Sequence, residues 1–406
     1  MKTTALESPR PYAVCPETAP AASCRPTARV RLGIRRNQLT RPEVHPERAV
    51  SVTRSYRETE GEPLFTRRGR MLLRIAEEHA VAIQEGELIV GMKALTPRGS
   101  PLFPEISCDW VERDIDRLAT RANTPFYVSP ETKQLLRTEV FPYWKGRQIS
   151  DRIMEAVPAE IWKADERGVI YNYFRSRTIG HINAGYGKVL AKGLHGIIAE
   201  VEQSLSRLEP REQDGGSKRL FLESVLMACE AAMRLAARHA AEARRLAAIE
   251  ADPVRRAELE QIGRVLDRVP AQPAETFQEA LQSFWITHLM LNLETDGHAF
   301  GPGRFDQVLY PYYRRSIDHG EITQDQAQEL LDLMWVKFDE ITLAKDSGES
   351  ETSSSYPEFQ NLNIGGLTRQ GQDAVNALSY MCLTALEHTR LPQPGLSAQI
   401  ASLTPP

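Results

Sequence analysis

One stretch of this sequence restricts the possible folds more than any other. Residues 217–250 are rich in Ala and keep a helical spacing of apolar positions from end to end, which is too long and too regular for a β-strand. A second segment, 277–294, is apolar on nearly every side, and a helix of that kind is normally buried all round. The chain is therefore predicted to be mainly helical, with at least one helix inside the protein.

Side chains that cap helices mark where several helices begin. Thr276 and Glu279 have the TxxE spacing of a capping box in front of the buried segment. Ser129 and Asp252 each precede a proline, which suits an N-cap followed by the first helical residue. Three further helices are predicted to begin at Ser217, Thr323 and Asp373.

Strand signals are few and short. Residues 359–367 alternate apolar and polar side chains and end in Gly-Gly, and residues 391–401 resemble a second strand after a Pro-rich turn. A β-rich run at 87–94 is a third candidate. Isolated strands that follow helices indicate an α/β fold, predominantly helical, with a central sheet or barrel.

Charge and composition exclude several classes of function. The chain has 50 Lys and Arg against 54 Asp and Glu, a net charge of -4, whereas nucleic-acid-binding proteins usually carry a basic excess. No apolar run is long enough to span a membrane, and the N-terminus lacks the apolar segment of a secretory signal. The five cysteines are scattered without a CxxC spacing, which is typical of reduced thiols. We therefore expect a cytoplasmic protein with no nucleic-acid partner, no membrane partner and no bound metal.

The N-terminal residues differ from the rest of the chain. Residues 1–40 contain five prolines and seven Lys or Arg against two Glu, with little hydrophobic period. Such a composition is typical of a disordered tail, although a flexible arm could also recruit a partner. We predict a disordered tail over residues 1–40 and an ordered domain over residues 41–406.

A first group of candidate functional residues lies just before residue 183. His181 follows a glycine on a loop that could approach a ligand closely, and histidine can donate, accept or carry a proton near neutral pH. Tyr173 lies eight residues earlier and could add a phenolic hydroxyl to the same cavity. Arg177 could bind an anionic group through two parallel hydrogen bonds. Each of the three could instead be structural: a surface or core histidine, a packed aromatic residue, or an ion-paired arginine.

A second group follows the buried helix, in a Gly-Pro-Gly loop within residues 293–313. A buried helix that ends in such a loop is a common way to build a binding site. His298 is the residue of this loop that we expect to face a ligand. Arg304 and Asp306 are predicted to be structural and to orient the loop by hydrogen bonds.

Seven motifs in a fixed order carry a resemblance to a known family. They are PERAVSVTRSYRETEGEP, ELIVG, PRGSPLFPEIS, PYWKGR, GHINAGYGKVLAKGL, GHAFGPGRFDQVLYPYY, and QNLNIGGLTRQGQDAVNALSY followed by RLPQPGLSAQI. Over residues 42–406 the chain resembles the N-terminal half of glycyl radical enzymes of the pyruvate formate-lyase-like group. This group includes glycerol and diol dehydratases, choline trimethylamine-lyase, hydroxyproline dehydratase and isethionate sulfite-lyase.

The resemblance implies a fold and a chemistry. The fold is the N-terminal part of a ten-stranded α/β barrel, for which this chain would supply the first half-barrel and most of the helical shell. A radical-SAM activating enzyme installs a radical on a backbone glycine, and the glycyl radical oxidises a cysteine at the barrel centre. The thiyl then removes hydrogen from a small-molecule substrate, and water, an amine or sulfite is eliminated. Members of the family are commonly homodimers.

The resemblance also assigns residues. His181 matches a substrate-hydrogen-bonding position of the dehydratases, and Tyr173 matches an aromatic pocket position. His298 matches the histidine that diol dehydratases use on substrate hydroxyls, while Ala299 replaces the Ser or Asp that is common next to it. Arg177, which is close to His181 in sequence, is also compatible with an anionic substrate such as a sulfonate or a carboxylate.

The catalytic motifs of the family do not occur in this sequence. Neither the GCVE-type loop of the thiyl cysteine nor the RVxG-type loop of the radical glycine is present. We therefore expect the domain to stop before the cysteine loop, the glycyl radical to lie on other polypeptide, and the chain to be inactive alone. The first hypothesis is the N-terminal portion of a glycyl radical lyase or dehydratase. The alternatives are a non-catalytic remnant or scaffold of the same family and an acyl transferase of the formate acetyltransferase type.

Overall fold

Helices dominate the structure. The computed structural model describes residues 25–170, 177–178, 180–209, 214–352 and 356–404. Its helices are α1 (Ala28–Leu39), α2 (Glu47–Glu58), α3 (Leu64–Glu78), α4 (Asp109–Asp114), α5 (Pro130–Leu135), α6 (Phe141–Trp144), α7 (Ile149–Ala156), α8 (Ala159–Glu166), α9 (Tyr186–Ser206), α10 (Gly215–Ile249), α11 (Pro253–Arg268), α12 (Phe277–Glu294), α13 (Phe305–Asp318), α14 (Gln324–Glu340), α15 (Ser347–Thr352) and α16 (Ala377–Thr389), with a π-helical turn, Leu136–Val140, between α5 and α6. Within these ranges no helix is both long enough and apolar enough to cross a membrane.

Within the described ranges, two small parallel sheets accompany the helices. One pairs β1 (Glu43–His45) with β2 (Gly99–Pro101). The other contains β3 (Gly303–Arg304), β4 (Asn361–Gly365) and β5 (Gly395–Gln399), with β4 in the centre. Because parallel neighbours need a crossover, α16 connects β4 to β5. The strands predicted within residues 359–367 and 391–401 are thus confirmed, as is the predominantly helical α/β fold.

The central helix of the protein is α12. Fourteen of its 18 residues are buried, and it contacts α9, α11, α13 and α14. The long helix α10 packs against α3 and α11 and buries a stripe of small residues that includes Ala236, Ala240 and Ala243. The predictions of a buried helix at 277–294 and of a long Ala-rich helix within 217–250 are both confirmed.

Most predicted helix starts agree with the structure. The capping box of Thr276 and Glu279 is formed, Thr323 caps α14, and Asp252 and Ser129 cap α11 and α5. Two predicted caps are wrong: α10 begins before Ser217, at Gly215, and α16 is capped not by Asp373 but by Asn376, whose side chain accepts from the Leu378 amide. In both cases the start lies within three residues of the predicted one.

The strand predicted at residues 87–94 is wrong. This segment is irregular and lies against α12, whose side chains take the place of a neighbouring strand. Gln282 accepts from the Val90 amide and donates to the Val90 carbonyl, both at 2.9 Å, and the Trp285 indole donates to the Gly91 carbonyl at 2.8 Å. Buried backbone groups need partners, and here helix side chains satisfy them.

The predicted disordered tail is wrong for its last third, because residues 28–39 form α1. Val30 and Gly33 are buried, and the Asn37 amide donates to the Val336 carbonyl at 3.0 Å and to the Asp339 carboxylate at 3.2 Å. The buried face of α1 is short, so its sequence lacks a strong hydrophobic period. The helix is stabilised by contacts with α14, which lies about 300 residues away in sequence.

Candidate functional site

The loop that carries His298 starts from a fixed helix end. The guanidinium of Arg48 donates to the carbonyls of Leu293 (2.6 Å) and Glu294 (3.2 Å), the last residues of α12. Glu105 accepts from the same guanidinium through both carboxylate oxygens, at 2.5 and 3.2 Å. A cation at a helix C-terminus satisfies carbonyls that have no partner within the helix, so the following loop leaves α12 in one direction.

Two loops that are far apart in sequence lie edge to edge. The His181 amide donates to the His298 carbonyl at 2.8 Å, and the Gly301 amide donates to the Ile182 carbonyl at 2.9 Å. Gly180 allows this approach, since a Cβ at that position would lie 1.7 Å from the His298 carbonyl oxygen. A glycine is therefore required where the two backbones meet.

The buried carboxylate of Asp296 links the same two loops through hydrogen bonds. One of its carboxylate oxygens accepts from the amide and the hydroxyl of Thr178, both at 2.9 Å, and that hydroxyl also contacts the hydroxyl of Thr295. Burial raises the pKa of Asp296 to about 6, although Arg177 and the bonds from Thr178 act in the opposite direction. A carboxylate with a pKa so far above its usual range is more frequent near functional sites than elsewhere.

Beside the loops of His181 and His298, the segment that leads into β4 forms a third side of the site. The Ala299 amide donates to the Glu358 carbonyl at 2.7 Å, and the Glu358 side chain forms a buried ion pair with Lys93 at 3.2 Å. His181, Ala299 and Phe359 have φ angles of 58°, 59° and 56°. Non-glycine residues rarely adopt this left-handed conformation, and such residues cluster at functional sites.

The two loops and the segment that leads into β4 line an open cavity of about 800 Å³. The imidazole rings of His181 and His298 lie edge to face with centroids 5.0 Å apart, and the half-exposed ring of Phe359 lies 6.0 Å from that of His298. Burial, followed by the nearby Arg177, lowers the pKa of His298, so this imidazole is neutral at pH 7. The polar side chains that line the cavity are those of Arg177, Thr178, His181, Asn183, His298, Asn361 and Asn363.

Three of the four predicted site residues line the same cavity: Arg177, His181 and His298. His181 and His298 face one cavity, although 117 residues separate them in sequence. Tyr173 lies outside the described residues. Arg177 also lines the cavity, but its Nε donates to Glu349 at 2.5 Å and one of its terminal nitrogens donates to the Ala344 carbonyl at 3.3 Å. This ion pair is the structural alternative that the sequence left open, and a contact between Arg177 and a substrate stays a prediction.

Arg304 and Asp306 are structural, as predicted. Arg304 donates to the carbonyls of Gly365 (2.6 Å) and Leu367 (2.8 Å). Asp306 accepts from the Gly365 amide at 2.8 Å and from the Ser379 hydroxyl at 2.5 Å. Both residues therefore fix the end of β4 and the turn that follows it.

Sequence reasoning missed part of the cavity wall. Phe359, Asn361 and Asn363 line the cavity, while Leu362 and Ile364 are buried behind them. The alternation of Asn with aliphatic residues in NLNI was the available signal, since side chains of a strand point alternately to its two faces. The imidazoles and amides of this wall can donate and accept hydrogen bonds to a small polar molecule. Among the described residues, no group of three or more His, Cys, Asp or Glu could hold a metal ion.

Fold and cavity together define a class: a predominantly helical α/β protein with part of a parallel-stranded barrel and a cavity beside its strands. The family model described as pyruvate formate lyase-like matches residues 26–406. Trans-4-hydroxy-L-proline dehydratase of Clostridioides difficile is 35% identical over 368 residues, which are 90% of this chain and 46% of that protein. Isethionate sulfite-lyase of Desulfovibrio desulfuricans is 35% identical over 378 residues, which are 90% of this chain and 45% of that protein.

A solved structure shows the same fold. It comes from work on 1,2-propanediol dehydration in Roseburia inulinivorans and superposes with a TM-score of 0.90 at 39% identity, over 92% of this chain and 47% of that one. The chain belongs to the pyruvate formate lyase-like family, and the resemblance to the N-terminal half of glycyl radical dehydratases and lyases is confirmed. The chain spans about half the length of the relatives that it matches.

Proposed function

We propose that this chain is the substrate-holding half of a glycyl radical lyase or dehydratase, which eliminates a leaving group such as water, an amine or sulfite from a small molecule. The thiyl cysteine and the glycyl radical would lie on polypeptide outside this chain. Together they would remove hydrogen from an unactivated C–H bond of the substrate. A protein that uses such a radical has to shelter it and orient the substrate beside it.

One observation carries the proposal: His181 and His298 face the same cavity, with ring centroids 5.0 Å apart. The neutral imidazole of His298 can donate one hydrogen bond and accept another, which suits a substrate hydroxyl. The left-handed backbone at both His181 and Ala299 holds the two loops in one arrangement. Pre-organised positioning groups of this kind contribute to catalysis by fixing the reacting atoms in line.

The proposal includes partners that would act on the complete enzyme. These are a radical-SAM activating enzyme, which installs the glycyl radical, and a second copy of the protein in a homodimer. It also places the protein in the cytoplasm. Tyr173 remains a proposed substrate-binding residue in addition to the two histidines.

The test is a chimera in which residues 26–406 replace the matching half of the Roseburia inulinivorans protein. After anaerobic treatment with the activating enzyme of that relative, we expect a glycine-centred EPR signal and elimination from a small hydroxylated substrate. His298→Ala should keep the EPR signal and lower turnover roughly a hundredfold, because positioning is lost. His195→Ala is the matched control, since His195 is exposed on α9 and does not line the cavity. A chimera that carries the radical and eliminates nothing, or a His298→Ala variant with full turnover, would contradict the proposal.

A further inference from the structure

Among the described residues of the cavity lining, one side chain carries a formal charge at neutral pH. Arg177 is the sole Lys, Arg, Asp or Glu among the described residues that line the cavity. The remaining polar groups of the lining are imidazoles, amides and a threonine hydroxyl. On the described part of this wall, a small molecule therefore meets a positive charge only if the charge of Arg177 is not offset by a neighbour.

The guanidinium of Arg177 is turned toward Glu349 on α15. The two side chains are 6% and 8% exposed, and Nε of Arg177 lies 2.5 Å from the nearer oxygen of Glu349. Glu349 lies behind the wall, where it lines a narrow enclosed space together with Asp296, and it does not line the cavity itself. A cation and an anion in direct contact have no net charge as a pair, so Glu349 offsets most of the positive charge that Arg177 would otherwise present to the cavity.

We propose that Glu349 is a specificity-determining residue. By holding Arg177 in a closed ion pair, it makes the cavity select an uncharged hydroxylated substrate over a sulfonate or a carboxylate. This inference rests on the proposed function, because it concerns the substrate of the same site. Without the charge of Glu349, the buried Arg177 would lose its direct ion-pair partner and keep only the more distant attraction of Asp296 and Glu358, which is costly. An anion that enters the cavity could then take the place of the lost carboxylate through bidentate hydrogen bonds.

The test compares two ligands of similar size, propane-1,2-diol and 2-hydroxyethanesulfonate, on the full chain. Histidines are labelled with ¹³C at Cε1, and the signals of His181 and His298 are assigned with His181→Gln and His298→Gln. In the unaltered chain we expect the diol to shift both signals at concentrations about tenfold lower than the sulfonate does. In Glu349→Gln we expect the sulfonate to bind about tenfold more tightly than before, the scale of one charge-assisted contact.

Two further variants keep the test decisive. Glu351→Gln removes the same charge from an exposed position on the same helix and should leave both affinities unchanged. Arg177→Gln combined with Glu349→Gln removes both charges, leaves no unpaired buried ion, and should keep diol binding without any gain for the sulfonate. If Glu349→Gln does not fold, the double variant tests the proposal instead. If the diol no longer shifts the histidine signals of the double variant, Arg177 contacts the diol directly, and the proposal is overturned.

The outcomes separate this proposal from the proposed function. An unaltered chain that prefers the sulfonate, or a folded Glu349→Gln variant with an unchanged preference, overturns the role of Glu349 and leaves the proposed lyase or dehydratase intact. If neither compound shifts either histidine signal, the proposal that this wall selects the substrate is overturned. The chimera experiment tests the proposed function independently of that result.

Discussion

Two regions of the molecule bury charged side chains in different ways. Between α1, α14 and the segment that follows α3, Lys337 contacts the carboxylates of Glu87 (2.7 Å) and Glu340, and Arg36 contacts Glu340 at 3.1 Å. Burial alone would raise the pKa of Glu87, but Lys337 and Arg36 lower it below its ordinary value. In this charged cluster of the helical shell, each buried charge meets an opposite one.

The wall of the cavity differs from this cluster in its carboxylates and in its backbone. Glu358 keeps one buried carboxylate oxygen without a hydrogen-bond partner in the described part of the chain, and Asp296 has a pKa of about 6. The backbone at His181, Ala299 and Phe359 is left-handed. The comparison teaches that the shell pairs its buried carboxylates with cations in direct contact, whereas the cavity wall holds Asp296 by the amide and hydroxyl of Thr178 and contains three residues with left-handed backbone. Raised carboxylate pKa values and strained backbone of this kind are typical of functional sites.

The largest effect is expected in the shell, from Lys337→Met. This change removes the buried cation that contacts both Glu87 and Glu340 most closely and leaves them with Arg36 alone, so the free energy of unfolding should fall by about 3–5 kcal/mol. Urea denaturation followed by circular dichroism measures it. Arg152→Ala, which removes an exposed ion pair with Glu155, is the control and should cost no more than about 1 kcal/mol. An equally small loss for Lys337→Met would remove the distinction between the two regions.

The second effect concerns how the contribution of Asp296 to the stability of the protein depends on pH. The pKa of Asp296 is about 6 in the folded protein and 3.8 ordinarily, so the folded state binds the extra proton between these values. The contribution of Asp296 to stability therefore falls as the pH rises from about 4 to about 6, and above that the penalty is complete. Asp296→Asn lacks this penalty, so its stability relative to the unaltered chain should be about 2–3 kcal/mol more favourable at pH 7.5 than at pH 4.

Urea denaturation at several pH values measures this difference. Glu202→Gln, at an exposed carboxylate on α9, controls for the general loss of a negative charge. A difference between Asp296→Asn and the unaltered chain that stays constant from pH 4 to pH 7.5 would show that Asp296 is as well compensated as the carboxylates of the shell.

The smallest effect on stability is expected from Gly180→Ala. The new Cβ collides with the His298 carbonyl, so the two loops must separate at a cost of about 1–3 kcal/mol. The NMR signals of both His181 and His298 should shift, because their loops lose contact. Gly216→Ala places a Cβ where nothing lies within 4 Å, and it should leave stability and both histidine signals nearly unchanged. Unshifted histidine signals in Gly180→Ala would show that the wall does not depend on this close approach.

Local signals in the sequence predicted much of the fold. The capping box at Thr276 and Glu279, the Asp252–Pro253 start and the alternation within β4 were all correct, because each depends on neighbours a few residues apart. Helix α1 and the irregular segment 87–94 were not predicted. Both obtain their partners from α14 or α12, which lie far away in sequence.

For the candidate site, the sequence by itself determined which residue types are present: two histidines on glycine-containing loops, an arginine, and an Asn-rich strand. Only the tertiary structure decided which of them share a cavity and which are paired elsewhere. The close approach at Gly180, the ion pair of Arg177 with Glu349, and the bonds of Asp296 to Thr178 each join residues more than 100 positions apart. Hydrogen bonds and charge pairing act over a few ångströms in space, and local sequence patterns do not specify which distant residues will meet.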